Sequence, residues 1–264
     1  VNRLRKRMAS LREDGKTALV IYLTQGDPTP EVSADIAVAA AEAGADVLEL
    51  GVPFSDPNAD GVVIQKAMER ALAAGGGLQS SLETVRQIRS RGCEVPIVLF
   101  GYYNPIFIYG LERFAADAAA AGVDATLVVD LPLDELAELS GPLADKGLDV
   151  VPLVAPTSGA DRIAQVREFE PPFVYYISMT GVTGGAFERA TDLEGRVAEV
   201  REASGAPVAV GFGIKTPEDA RRVAGFADGV VVGSAVVNTI EAAGADKAAA
   251  AVHDYVAGLR AAAP

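Results

Sequence analysis

Eight short apolar runs, separated by stretches of helical periodicity, constrain this chain more than any other feature. They lie at residues 18–23, 47–50, 96–100, 125–129, 150–154, 173–177, 207–210 and 229–232. Most are rich in Val, Ile, Leu or Tyr and are bounded by Gly, Pro or Asp. Apolarity that is continuous rather than alternating marks strands buried on both faces, as in a parallel sheet. Between the runs, Ile36, Ala37, Ala40 and Ala41 form one apolar stripe. Val85, Ile88 and Arg89 follow helical spacing in the next interval, Leu111, Phe114 and Ala118 in a third, and Ala220, Val223 and Ala224 in a later one. Capping residues predict helix starts at Thr29-Pro30, Ser81, Asp161 and Thr216-Pro217-Glu218. Gly44, Gly92, Gly122, Gly147 and Gly205 predict helix ends.

Eight strand–helix units in 264 residues predict an α/β fold, a (β/α)8 TIM barrel, rather than an open doubly wound sheet. One domain over residues 1–264 is expected. The basic start, with Leu4, Met8 and Leu11 on one face, predicts an extra N-terminal helix rather than a targeting segment.

Composition removes several classes of function. A net charge of −13 repels nucleic acid and anionic membranes. One cysteine, Cys93, and one histidine, His253, leave no disulfide framework, no expected metal site and no Ser-His-Asp triad. No apolar run approaches the roughly 18 residues of a membrane span, so a cytoplasmic location is expected.

In such a barrel the chemistry sits at the C-terminal ends of the strands. Two carboxylates stand out there. Glu49 ends the second apolar run, and Asp60 lies in the Gly/Pro/Ser-rich segment that follows. A carboxylate at the end of a buried strand is costly without a task or a partner. Two acids on one strand and its loop suit proton transfer at two atoms of one substrate. The alternatives are a buried acid paired with a core lysine or a tyrosine hydroxyl for Glu49, and a solvated Asp-Gly turn for Asp60. Asp56 is a rival in the same loop and reads as a cap. Tyr22, Tyr102, Tyr175 and Phe212 stand at strand ends and suit a pocket for a flat ring, or core packing. Gly211-Phe-Gly213 and Gly233-Ser234, after the last two strands, read as a phosphate cradle of backbone amides, or as two tight turns. The glycine-rich segment 178–192 reads as a lid or as an ordinary connection. No lysine stands at a strand end in a position for Schiff-base chemistry. Ile106, Phe107 and Ile108, beside Asn104-Pro105, are candidate interface residues or core.

Taken together, Leu48-Glu-Leu-Gly-Val-Pro-Phe-Ser-Asp-Pro57, Ala59-Asp-Gly61, Tyr102-Tyr-Asn-Pro105, Val129-Asp-Leu-Pro132, Thr180-Gly-Val-Thr-Gly184 and Val210-Gly-Phe-Gly213 resemble the α subunit of tryptophan synthase across essentially the whole chain. The resemblance implies a lyase that cleaves indole-3-glycerol phosphate to indole and glyceraldehyde 3-phosphate, in tryptophan biosynthesis. It implies a β subunit partner in an α2β2 heterotetramer, with pyridoxal phosphate as that partner's cofactor and none on this chain. It assigns Glu49 as general acid and base, and Asp60 as the group that holds the indole N–H. It lines the pocket with Tyr22, Phe100, Tyr102, Leu127, Tyr175, Thr183 and Phe212. It gives the phosphate to Gly184, Gly213, Gly233 and Ser234. Gln25, Asn58, Val62 and Leu133 depart from the common family pattern; two of them, Asn58 and Val62, flank Asp60 in the loop expected to face the partner.

Overall fold

The structure, a computed structural model, describes residues 2–177, 193–211 and 213–263. Among them are nine parallel strands: β1 (Ala18–Thr24), β2 (Val47–Gly51), β3 (Ile97–Gly101), β4 (Ala125–Val128), β5 (Asp149–Val150), β6 (Leu153–Val154), β7 (Val174–Ile177), β8 (Val208–Gly211) and β9 (Gly229–Val232). Their order is β5-β4-β3-β2-β1-β9-β8-β7-β6. The two ends of that order are halves of one segment, 149–154, so the eight pairings form a ring that this segment closes. The fifth apolar run is thus two short strands where one is expected. Pro152 separates them, and proline brings no N–H to a ladder. On one side Val151 N donates to Thr126 O at 2.9 Å, and on the other Tyr175 N donates to Pro152 O at 2.9 Å. The segment hands its pairing from β4 to β7.

Side chains alternate across each strand. Ala18, Val20 and Tyr22 of β1 share an interior cluster with Val47, Val98, Phe100, Ala125, Leu127, Phe173, Tyr175, Ala209 and Val231. Their neighbours Leu19, Ile21, Leu48, Leu50, Ile97, Leu99, Val208 and Val210 face outward and pack with the helices.

Most sequence-predicted helices stand near their expected positions. Pro30 opens α2 (Pro30–Glu42) behind Thr29. Thr216 and Asp219 form a reciprocal capping box at the start of α10 (Pro217–Ala224). Gly122 ends α6 (Leu111–Ala121) at φ 95°, a left-handed conformation that favours glycine. Two starts differ. Ser81 lies inside α4 (Leu78–Ser90), because the helix begins directly after Gly77 and the Ser81 hydroxyl turns back to Gly77 O at 2.8 Å. Asp161 lies in the first turn of α8 (Ala160–Ala164), behind Gly159.

The basic N-terminal segment folds as α1 (Arg3–Glu13), with Leu4, Met8 and Leu11 buried. Its arginines meet aspartates at the strand starts. Arg7 binds Asp46, Arg5 binds Asp149 and Arg3 reaches Asp124. Two of these strand-start acids, and Asp228 before β9, also reach back to the preceding strand. Asp46 accepts from Leu19 N at 2.7 Å, Asp124 from Ile97 N at 2.9 Å and Asp228 from Val208 N at 2.8 Å. The Gly-x-Asp steps before β2 and β4 therefore pin strand register and anchor the helix across the barrel base. No helix of the described residues is long and apolar enough to cross a membrane.

Candidate active site

Glu49 occupies an interior position on β2, opposite Tyr22 in the β1–β2 register. Its relative exposure is 0%. Both carboxyl oxygens lack a hydrogen-bond partner among the described residues. Burial alone pushes its carboxyl from 4.5 up to about 8. An ionised group so placed would be strongly destabilised, so Glu49 keeps its proton at neutral pH. The alternative of a core acid paired with a lysine or a tyrosine hydroxyl finds no partner among the described residues.

Asp60 lies between β2 and α3 (Val62–Ala73). Its Oδ2 accepts from Tyr102 Oη at 2.6 Å. Tyr102 Oη in turn accepts from Ala59 N at 3.0 Å. Gln65, in the first turn of α3, donates to Asp60 O at 2.7 Å. These bonds draw the loop inward over the barrel mouth. Burial raises the Asp60 carboxyl to about 6, against the lowering effect of the Tyr102 bond. The solvated-turn reading of Asp60 therefore does not fit, whereas Asp56 is exposed and bonds only locally, accepting from Ser55 Oγ at 2.5 Å.

Aromatic rings line the same mouth. Tyr22 and Phe100 meet edge to face at 5.3 Å, Phe100 and Tyr175 lie 6.3 Å apart, and Phe54 stacks on Tyr102 at 5.0 Å. Leu127 is fully buried one strand from Phe100. Two glycines make room for the tyrosines. A Cβ on Gly51 would fall 2.1 Å from Tyr22 Oη, and one on Gly211 would fall 2.1 Å from Tyr175 Oη. Charge on Glu49 and Asp60 adds to burial in raising both phenols. Glu49 pairs with Tyr22 across β1 and β2, and Phe100 links the Tyr22 ring to Tyr175.

Gly233 caps α11 (Ser234–Ala243), and Ser234 is its first residue. The first-turn amides of such a helix have no intrahelical acceptor and suit an anion. Gly213, at φ 81°, follows β8 on the adjacent strand. Thr183, Gly184, Phe212 and the segment 178–192 lie outside the described residues.

The departures from family pattern find distinct settings. Gln25 is buried and hydrogen-bonded at both its amide nitrogen and its amide oxygen. Its Nε2 donates to Thr84 Oγ1 at 3.0 Å, and its Oε1 accepts from Ser80 and Ser81 at 3.2 Å each. Leu133 is buried, whereas Asn58 and Val62 are exposed beside Asp60. The run 106–108 divides: Ile106 is core, while Phe107 and Ile108 are 57% and 76% exposed on α5 (Tyr103–Tyr109). Sequence reasoning did not single out Thr24, Gly51 or Gln65 as site groups. The two-residue spacing of Tyr22 to Thr24 and of Glu49 to Gly51 was the available signal, since it puts each pair on one face of a strand.

The tryptophan synthase alpha chain family model matches residues 8–263. A tryptophan synthase alpha chain from Citrifermentans bemidjiense is 54% identical over 241 residues, covering 91% of this chain and 90% of its own length. One from Geobacter sulfurreducens is 50% identical over 260 residues, covering 98% of each. The crystal structure of tryptophan synthase subunit alpha from Legionella pneumophila superposes with a TM-score of 0.92 at 40% identity, covering 99% of this chain and 98% of that one. The chain belongs to the tryptophan synthase alpha chain family.

Proposed function

We propose that Glu49 and Asp60 carry the lyase reaction of the tryptophan synthase alpha chain here, cleaving indole-3-glycerol phosphate to indole and glyceraldehyde 3-phosphate. The observation that carries this reading is the Glu49 carboxyl, wholly buried, unpartnered among the described residues and raised to about 8. Protonated Glu49 delivers its proton to the indole carbon that bears the glycerol chain. The ring becomes a cationic electron sink, and Asp60 accepts the hydrogen bond of the ring N–H and stabilises the charge. The Glu49 carboxylate then takes the proton of the adjacent glycerol hydroxyl. The C–C bond breaks, its electrons return to the ring, and the hydroxyl carbon becomes the aldehyde. Glu49 ends protonated, as it began.

Tyr22, Phe100, Tyr102, Leu127 and Tyr175 enclose the ring in this reading, with Thr183 and Phe212. The amides of Gly213, Gly233 and Ser234, with Gly184, hold the phosphate. Helix-terminus amides answer the ligand's charge without a basic side chain, which suits an acidic protein. The reaction supplies indole for tryptophan biosynthesis. A β subunit consumes it, with pyridoxal phosphate on that partner; the assembly is α2β2 and cytoplasmic. Exposed Phe107, Ile108 and Val62 support a partner-facing surface beside the mouth.

Turnover of Glu49→Gln and Asp60→Asn tests the assignment. Each is expected to lose on the order of 10²-fold or more in kcat. Wild-type turnover by either variant would remove that residue from the chemistry.

A further inference from the structure

The geometry points to Arg70 as a positioning residue: its guanidinium ties the helix over the barrel mouth to the turn after β1 and to α11, and so sets the spacing between the two ends of the substrate site. The inference rests on Asp60 holding the ring and the start of α11 holding the phosphate.

α3 lies over the mouth rather than around the barrel. The outer layer between β2 and β3 is filled by α4, whose Leu82, Val85 and Ile88 pack with the outward-facing strand residues. Ala67 of α3 instead belongs to the interior cluster that holds Tyr22, Phe100 and Tyr175, and Val63 and Ile64 pack against the same cluster. The first turn of α3 is joined to the Asp60 loop through the Gln65 bond to Asp60 O. Its far half is held by Arg70. Nε donates to Asp27 Oδ1 at 2.7 Å and Nη2 to Asp27 Oδ2 at 3.0 Å, while Nη1 donates to Glu241 Oε1 at 3.0 Å. All three guanidinium nitrogens are in use, two on one carboxylate and the third on another.

Both carboxylates belong to elements of the site. Asp27 is buried in the turn after β1. Its N donates to Thr24 O at 3.2 Å, and Thr24 Oγ1 donates to Tyr22 Oη at 3.3 Å. Gly26 beside it rests on α3, where an added Cβ would meet Ala71 Cβ at 3.2 Å. Glu241 stands about two turns along α11 from Ser234, and Val237 of α11 joins the interior cluster.

The two arms do different things. The Asp27 arm is bidentate onto a buried acid, a geometry that a lysine does not reproduce. Glu241 is 53% exposed, so its pair adds little stability; it fixes α3 against α11 at one point. A substrate anchored at both ends feels that offset, since a misplacement of about 1 Å costs on the order of 10²-fold in rate. A fragment that touches one end follows its own element and does not.

The test compares a ligand that spans the site with fragments that do not. Inhibition constants of indole-propyl phosphate, glycerol 3-phosphate and indole are measured for wild type, Arg70→Lys and Glu241→Lys. Arg70→Lys keeps a cation beside Asp27 but loses the fork. Glu241→Lys sets a like charge against Arg70 at an exposed position and leaves the buried pair intact, so it carries the test should thermal melting show that Arg70→Lys does not fold. Indole-propyl phosphate is expected to weaken roughly tenfold in the first variant and about fivefold in the second, with each fragment within about twofold of wild type. In either folded variant, a loss for the spanning ligand no larger than the product of the two fragment losses overturns the inference. If Asp60→Asn is inactive and the spanning ligand behaves as its fragments do, only this inference fails. If Asp60→Asn cleaves at the wild-type rate, the assignment of the chemistry fails instead.

Discussion

Tyr102 donates a 2.6 Å hydrogen bond to Oδ2 of Asp60 while accepting the amide proton of Ala59. One phenol thereby ties down the loop that carries Asp60 and favours the ionised form of its carboxyl. Tyr102→Phe removes a bond to a charged group, worth roughly 1.5–3 kcal/mol. The expected result is a fall in kcat/KM of about tenfold or more and an ascending pH limb moved upward, because the bond lowers the Asp60 carboxyl. Steady-state kinetics across pH would check both.

For the wild-type protein, kcat/KM should be bell-shaped in pH. Asp60 must be ionised and is raised to about 6, while Glu49 must be protonated and is raised to about 8. Activity should rise through the first value and fall through the second. The two limbs are properties of the coupled pair. A profile flat from pH 5 to pH 9 would contradict the assignment.

Glu49 should cost stability. Unfolded, a glutamate releases its proton near 4.5, whereas folded Glu49 holds it to about 8. Between these values the native state binds a proton that the unfolded state has lost, so stability falls as pH rises across that window, by a few kcal/mol in all. Glu49→Gln removes this dependence. At pH 8 the variant should be inactive and more stable than wild type in urea denaturation, and near pH 4 the two should converge.

The base of the barrel should be far more sensitive than the surface. Asp46 is buried and binds Arg7, Arg260 and Leu19 N together. Asp46→Ala leaves the buried Leu19 amide and the largely buried Arg260 guanidinium without this acceptor and should cost about 3 kcal/mol. Glu83→Ala breaks only the exposed pair with Arg86 and should cost under about 1 kcal/mol. The Thr126 hydroxyl is buried without a partner among the described residues, so Thr126→Val should leave stability unchanged or raise it by about 1 kcal/mol. Denaturation midpoints would rank the three.

Phe107 and Ile108 expose apolar surface beside the active-site mouth. Replacing both by Asp should weaken binding of a β subunit by on the order of 100-fold while leaving the isolated chain's cleavage rate within about twofold. Titration calorimetry and isolated-subunit turnover would separate the two effects.

Much of this was legible from sequence because parallel strands buried on both faces are unbroken apolar runs, and because glycine and proline punctuate them. The fifth run was misread as one strand: apolarity reports burial, and Val150 to Val154 is apolar throughout, but the ladder changes partner at Pro152. Ser81 was misread because a serine serves a helix start or a helix interior equally well when a buried acceptor such as Gln25 is near. Glu49 stood out because a lone acid inside a strand is rare and costly. The Tyr102–Asp60 bond did not, because the two residues are 42 positions apart and nothing local in either segment announces the other. Nor could spacing reveal that Tyr22 fills the gap at Gly51, which depends on how a ring leans across two strands.

The most direct test of the central claim is a crystal structure with a non-cleavable indole-propyl phosphate. The account predicts the ring nitrogen on the Asp60 carboxylate, the chain-bearing ring carbon facing Glu49, and the phosphate on the amides at Gly233 and Ser234. An analogue bound with its ring away from both acids, or its phosphate away from the start of α11, would contradict it.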